Sequence, residues 1–176
     1  SVPRDLYVKI PHINKMEKIN SAYAYGARSN ESLQYSREAV EDVTGINIDY
    51  TVAIDFNAFK KIINLVDGIN IYVPADFTEA SQWGWEFKVP KGMNHMSGET
   101  ALYYARSRYS SSDFNRSRRQ QDVLMALGKK LMATEILSNP IKINSIFSSL
   151  AKNINTDVDF ISALNLIKYT KLVVEN

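Results

Sequence analysis

Residues 49–73 read DYTVAIDFNAFKKIINLVDGINIYV, and the order of patterns within them decides the fold class. Asp49 to Phe56 is rich in β-branched and aromatic residues and short enough to be an interior strand. Asn57 can cap a helix in which Phe59, Ile62, Ile63 and Val66 share one face while Lys60, Lys61 and Asn64 do not. Gly68 ends that helix, and Ile69 to Val73 resumes as strand. Strand, helix and strand with short connections mark an α/β crossover, so the chain is predicted to be an α/β protein.

On the N-terminal side, Leu6 to Pro11 reads as a short strand closed by proline, with Arg4 and Asp5 at its entrance. Lys18 to Gly26 is a short helical or turn segment, and Ser32 to Val43 carries a loose helical stripe stopped by Thr44-Gly45. On the other side, Trp83, Trp85, Phe87 and Val89 alternate with polar or small residues, which predicts a half-buried strand turned by Pro90-Lys91-Gly92. Apolar alternation favours packing over sugar stacking for the two tryptophans. Ser97 can cap a helix through Ala101 and Leu102 that delivers Arg106. Asn139-Pro140 opens a further helix with Ile143, Ile146, Phe147 and Leu150 on its apolar face. Asp157 or Asp159 caps a last one carrying Phe160, Leu164 and Ile167.

With 176 residues, 45% hydrophobic and 23% charged, the chain suits one soluble domain over 1–176, without repeat, linker or low-complexity segment. Its net charge of +2 is too small for a wide nucleic-acid-binding surface, so any basic patch is local. The absence of cysteine removes disulfides and thiolate metal sites. His12 and His95 are isolated, without a partner at ligand spacing, and neither a GxSxG elbow nor a glycine-rich phosphate loop is present.

Charge instead gathers in Tyr103 to Leu131, YYARSRYSSSDFNRSRRQQDVLMALGKKL, where Arg106, Arg108, Arg116, Arg118 and Arg119 fall within fourteen residues beside one carboxylate, Asp113. If Arg106 and Arg108 lie in extended backbone, their side chains leave the same side as a cationic fork. A serine of Ser110-Ser111-Ser112, or Asp113, can cap the helix that follows. On that helix Arg116, Arg119, Gln120, Val123, Leu127 and Leu131 share a face, while Arg118, Asp122, Met125 and Lys129 lie on another. The apolar end of the first face is buried, so its arginines run inward, and buried guanidiniums require acceptors or an anion. A planar donor fork matches phosphate oxygens, which makes the cluster a phosphate-handling site in which Asp113 can take a proton from an attacking hydroxyl. The competing explanation is a set of structural ion pairs with Asp5, Glu99 or Asp122.

Ser1-Val2-Pro3-Arg4-Asp5, Lys18-Ile19-Asn20 with Ala22-Tyr23-Ala24-Tyr25-Gly26, Val66 to Pro74, Ser97 to Leu102 with Tyr104-Ala105-Arg106-Ser107-Arg108, and Asp113 to Gln121 together resemble the LytR-CpsA-Psr family. The resemblance implies one α/β domain with a central mixed β-sheet flanked by helices and an apolar lipid-binding channel between them. It implies a location on the extracellular face of the bacterial cell membrane, with an upstream part and N-terminal anchor absent from this chain. It also implies a phosphotransferase that moves a glycopolymer, such as teichoic acid or capsule, from a polyisoprenyl-pyrophosphate carrier to a peptidoglycan hydroxyl through a phosphodiester bond.

Carried over, Arg4, Arg106, Arg108, Arg116 and Gln120 grip the pyrophosphate, Arg119 joins them from its helical face, and Asp113 activates the acceptor. Mg2+ is implied as cofactor, with Asp5 its one candidate ligand here and the principal ligands upstream. Two rivals stand beside this reading. One is a nucleic-acid-binding regulator, which the inward arginines and the absence of a helix-turn-helix pattern oppose. The other is a catalytically silent lipid-binding module.

Overall fold

The computed structural model describes residues 2–108, 113–133 and 152–159, together with the single positions 141, 148, 150, 161, 162 and 165. In chain order the elements begin with β1 (Tyr7–Ile10), β2 (Lys15–Lys18), α1 (Ser21–Gly26), α2 (Ser32–Thr44), β3 (Val52–Ile54) and α3 (Phe56–Leu65). They continue with β4 (Ile69–Val73), β5 (Phe77–Glu79), β6 (Phe87–Val89), β7 (Gly92–Met96), α4 (Gly98–Arg106), α5 (Asp113–Ala133) and β8 (Ile154–Thr156). The chain packs as two compact units, Ser1–Ala53 with Ile154–Leu166, and Ile54–Asn153 with Ile167–Asn176.

In the first unit β1 and β2 form an antiparallel hairpin, with Tyr7 opposite Lys18 and Ile10 opposite Lys15. Ile10, Ile19, Ala22 and Ala39 are its buried apolar centre. Gly26, the last residue of α1, has no room for a Cβ, which would fall 2.6 Å from the Glu31 carbonyl oxygen. Helix α2 stops where expected, at Gly45 with a left-handed φ of 68°. The Asp157 carboxylate accepts from the Thr51 N–H at 2.6 Å and from Arg37 at 3.1 Å. Asp159, by contrast, accepts from the N–H groups of Ile161 and Ser162 as a helix cap does, so of the two aspartates considered for the last helix it is the capping one.

The second unit holds the larger core. Ile69, Ile71 and Val73 alternate inward along β4, and Phe87, Val89, Met96, Ala101, Tyr104 and Val123 close over them. Strand β4 pairs antiparallel with β7, Ile69 opposite Met96, and β5 with β6, Phe77 opposite Val89. Gly98 lets α4 start against α3, since a Cβ there would collide with the Lys60 carbonyl.

The α/β class stands, but the pairing differs from one central sheet: the described strands form four two-stranded sheets. In particular β3 pairs with β8 and β4 with β7, so the strands flanking α3 are not neighbours in one sheet. Strands of three to five residues carry too few side chains for the sequence to specify their partners. The alternating Trp83 and Trp85 precede β6 and lie outside any strand, because Gly84 adopts a φ of 75° and breaks the extended run. Phe160, Leu164 and Ile167, and the expected helix from Asn139-Pro140 apart from buried Leu150, lie outside the described residues.

Helix α3 is capped by Asp55, not by Asn57, and an Asp55 oxygen accepts from the Ala58 N–H at 2.7 Å. That bond first, and one from the Asn153 amide second, hold the Asp55 carboxyl below its ordinary range. A depressed folded-state pKa stabilises above the unfolded value and loses that stabilisation as pH falls through the folded one. Asp55→Ala is therefore expected to lower the melting temperature by about 2–4 °C at neutral pH, with the gap narrowing as the pH falls through the depressed folded-state value. A gap that persists in acid would show that the carboxylate is not its source.

Candidate functional site

The arginine cluster belongs to the second unit and is built on the junction between α4 and α5. Ser97 starts α4 by accepting from the Thr100 N–H, and the buried stripe Ala101, Leu102, Tyr104 and Ala105 carries the helix through to Arg106. Arg106 is thus its last helical residue, and the alternation expected of an extended Arg106-Ser107-Arg108 does not apply. Instead the chain turns at Ser107, whose φ and ψ of −57° and 131° leave the helix.

Every polar atom of Ser107 is engaged. Its N–H and its hydroxyl donate to the Tyr103 carbonyl, at 2.9 and 2.8 Å. Its hydroxyl oxygen accepts from the Trp83 indole N–H at 3.1 Å, and its carbonyl accepts from Arg119. The residue is fully buried.

The Arg106 guanidinium lies 4.0 Å over the Phe56 ring and 5.3 Å from the Trp83 ring. Aromatic rings attract a cation to their faces while its N–H edges remain directed outward in plane. Arg106 is half-buried, and among the described residues no carboxylate pairs with it. Such a cation is suited to an anion supplied from outside the chain. Arg108 follows two residues later, exposed, its backbone N–H bound to the Gln82 side-chain oxygen at 2.7 Å.

Helix α5 presents the expected face toward this junction. Arg119 and Val123 are buried and Arg116, Leu127 and Leu131 half-buried, whereas Arg118, Met125 and Lys129 are exposed. Gln120 is exposed along most of its length, yet its amide donates to the Ala105 carbonyl at 3.3 Å. Arg119, only 6% exposed, donates from Nε to the Tyr104 carbonyl at 2.8 Å and from an Nη to the Ser107 carbonyl. It also lies over the Phe77 ring at 4.7 Å.

Tyr104 and Ala105 are in the last turn of α4, where carbonyls lack helical partners and the helix dipole is negative. Arg119 and Gln120 therefore close the end of the helix that presents Arg106. Burial pushes the Arg119 pKa down, opposed by Tyr104 and by the buried Glu79.

Asp113 is the first residue of α5, and Ser110, Ser111 and Ser112 lie outside the described residues. Arg4 and Asp5 belong to the first unit, both exposed, on the turn before β1. An Asp5 oxygen faces the Lys18 ammonium at 3.4 Å. Among the described residues no three acidic or histidine side chains gather as a metal site, and a lone carboxylate beside a lysine does not suit Mg2+. The residues described do not fit a resident magnesium ion. His12 bonds Glu38 at 2.6 Å, and His95 bonds the Asn70 side chain at 2.9 Å. Phe56, Gln82 and Trp83 are members that sequence reasoning missed.

Fold and site together define an α/β protein with an arginine cluster at a helix junction. The LytR_cpsA_psr family model matches residues 1–175, and the chain belongs to that family. It is 36% identical over 172 residues to polyisoprenyl-teichoic acid--peptidoglycan teichoic acid transferase TagV of Bacillus subtilis (strain 168), covering 94% of this chain and 42% of that protein. The correspondingly named TagU of Enterococcus faecalis (strain ATCC 700802 / V583) is 33% identical over 162 residues, covering 91% and 49%.

The chain thus spans about half the length of these curated relatives. The crystal structure of B. subtilis TagV superposes with a TM-score of 0.74 over 96% of this chain and 63% of its own, at 36% identity. TagT bound to LIIa-WTA superposes with a TM-score of 0.75 over 96% and 61%, at 26% identity.

Proposed function

We propose that this chain carries the pyrophosphate grip of a transferase that moves a glycopolymer from a polyisoprenyl-pyrophosphate carrier to a peptidoglycan hydroxyl. Arg106 carries the reading: a half-buried guanidinium stacked on Phe56 and Trp83, without an acid among the described residues, and two residues before Arg108 in the chain. The names of the relatives as teichoic acid transferases supply the substrate class. In this proposal Arg106, Arg108 and Arg116 meet the phosphate oxygens, and Arg119 and Gln120 support them from the end of α4.

The acceptor oxygen bonds to the polymer-side phosphorus, the bond to the polyisoprenyl phosphate breaks, and the hydroxyl proton passes to Asp113. Charge on the departing phosphate is met by guanidiniums, which is most of what phosphoryl transfer asks of a protein. Attachment at the outer membrane surface, an apolar channel for the lipid and a Mg2+ ion supplied with other ligands belong to the same proposal. No helix among the described residues is long and apolar enough to cross a membrane.

A mass spectrum of lipids extracted from the purified protein tests the reading directly. A retained polyisoprenyl phosphate or pyrophosphate is expected. Neither retention nor uptake of added polyisoprenyl pyrophosphate would count against the site. Asp113→Ala is expected to slow transfer at least about tenfold with binding changed less than about twofold. An equal fall in both, or a collapse of stability, would leave Asp113 as a helix cap alone.

A further inference from the structure

We infer that Gln82 and Trp83, on the loop between β5 and β6, are positioning residues that preset the angle between Arg106 and Arg108 before any ligand arrives; the inference rests on the pyrophosphate reading above. The Gln82 side chain spans the bend. Its amide nitrogen donates to the Arg106 carbonyl at 3.1 Å and its oxygen accepts from the Arg108 N–H at 2.7 Å. A residue of a parallel strand makes the same two bonds with its backbone to the neighbours of the residue it faces, so one side chain here imitates a single rung of sheet.

Between the two bonded groups lies Ser107, the hinge at which the chain leaves α4. Trp83 bonds its hydroxyl and holds a ring 5.3 Å from the Arg106 guanidinium. The same two-residue segment therefore fixes the backbone on both sides of the hinge and one face of the first arginine.

That loop is itself held. The Gly84 N–H returns to the Ser81 carbonyl at 3.4 Å, and Trp83 packs on Tyr103 at 4.9 Å between ring centres. Two guanidiniums on a loose hinge would lose orientational freedom on gripping a pyrophosphate, which weakens binding. A clipped hinge has already lost it. The contribution is felt in affinity for the bidentate anion rather than in the stability of the core, because Gln82 is half-buried and lies outside the buried apolar cluster.

Binding of geranylgeranyl pyrophosphate to the whole chain tests this in a double-mutant cycle of Gln82→Leu and Arg106→Lys. Gln82→Leu keeps bulk and removes both bonds, and is expected to weaken binding about fivefold to tenfold. In the Arg106→Lys background, which no longer presents a planar fork, the same change is expected to cost less than about twofold. Gln82→Glu retains the acceptor half only and should fall between; it also serves if Gln82→Leu does not fold. A loss below about twofold for Gln82→Leu, or an equal loss in both backgrounds, overturns the clip and leaves the loop as packing. Unchanged binding by Arg106→Lys overturns the arginine reading itself, and the inference with it.

Discussion

Arg106→Ala is expected to reduce affinity for a polyisoprenyl pyrophosphate at least about a hundredfold while moving the melting temperature by no more than about 2 °C. The two halves of that expectation have different causes. A charge-assisted bidentate contact in a partly desolvated site is among the strongest single polar interactions a protein offers. The fold asks less of Arg106. Its stack on Phe56 and Trp83 is at the edge of the core, Phe56 is itself half exposed, and Trp83 keeps its bond to Ser107 and its packing on Tyr103.

Arg116→Ala should behave similarly, since it shares the α5 face that meets the junction. Arg118→Ala is the control: its side chain is exposed on another face, and neither affinity nor stability should change. Calorimetric titration of the three variants with thermal melts alongside decides the matter. Unchanged binding after loss of both Arg106 and Arg116 would refute the site.

How much of this could be read beforehand depended on whether the information is local. Helices α3, α4 and α5 follow from apolar spacing and from caps lying within a few residues, and Ser97 caps α4 as its position predicts. Asp55 and Asn57 are both competent caps in sequence; only the turn geometry selects the aspartate. Strand β2, Lys15–Lys18, left no signal, because its KMEK has no apolar alternation and pairs through the hairpin alone.

The tryptophans misled for the opposite reason: Trp83-Gly84-Trp85 imitates a strand's alternation, whereas Gly84 turns it into the loop that reaches the arginines. For the site, the inward face of α5 was legible and its acceptors were not. Backbone carbonyls have no letter in a sequence, so a buried arginine read without coordinates calls for an anion even where a helix end stands ready.

Arg119 separates these two meanings of a buried guanidinium. As a strut it should matter to stability: Arg119→Met leaves the Tyr104 and Ser107 carbonyls without their donors, at about 1–3 kcal/mol for each buried group. It also removes the cation from over Phe77 and from the neighbourhood of the buried Glu79 carboxylate. Relief of the guanidinium's desolvation works the other way, since replacing a buried ion with a well-packed apolar side chain is sometimes neutral or better. That relief is largest for a charge with few partners, and Arg119 donates to two carbonyls and lies over a ring, so the losses exceed it.

The expected net destabilisation is about 2–4 kcal/mol in urea unfolding, seen as a lower midpoint with unchanged slope. Pyrophosphate affinity of the protein that remains folded should fall less than it does for Arg106→Ala, because Arg119 acts on the ligand only through the placement of α4's last turn. If Arg119 instead touches the phosphates, the pattern reverses: stability holds or rises while binding is lost as fully as with Arg106→Ala, and the assignment of Arg119 as support falls.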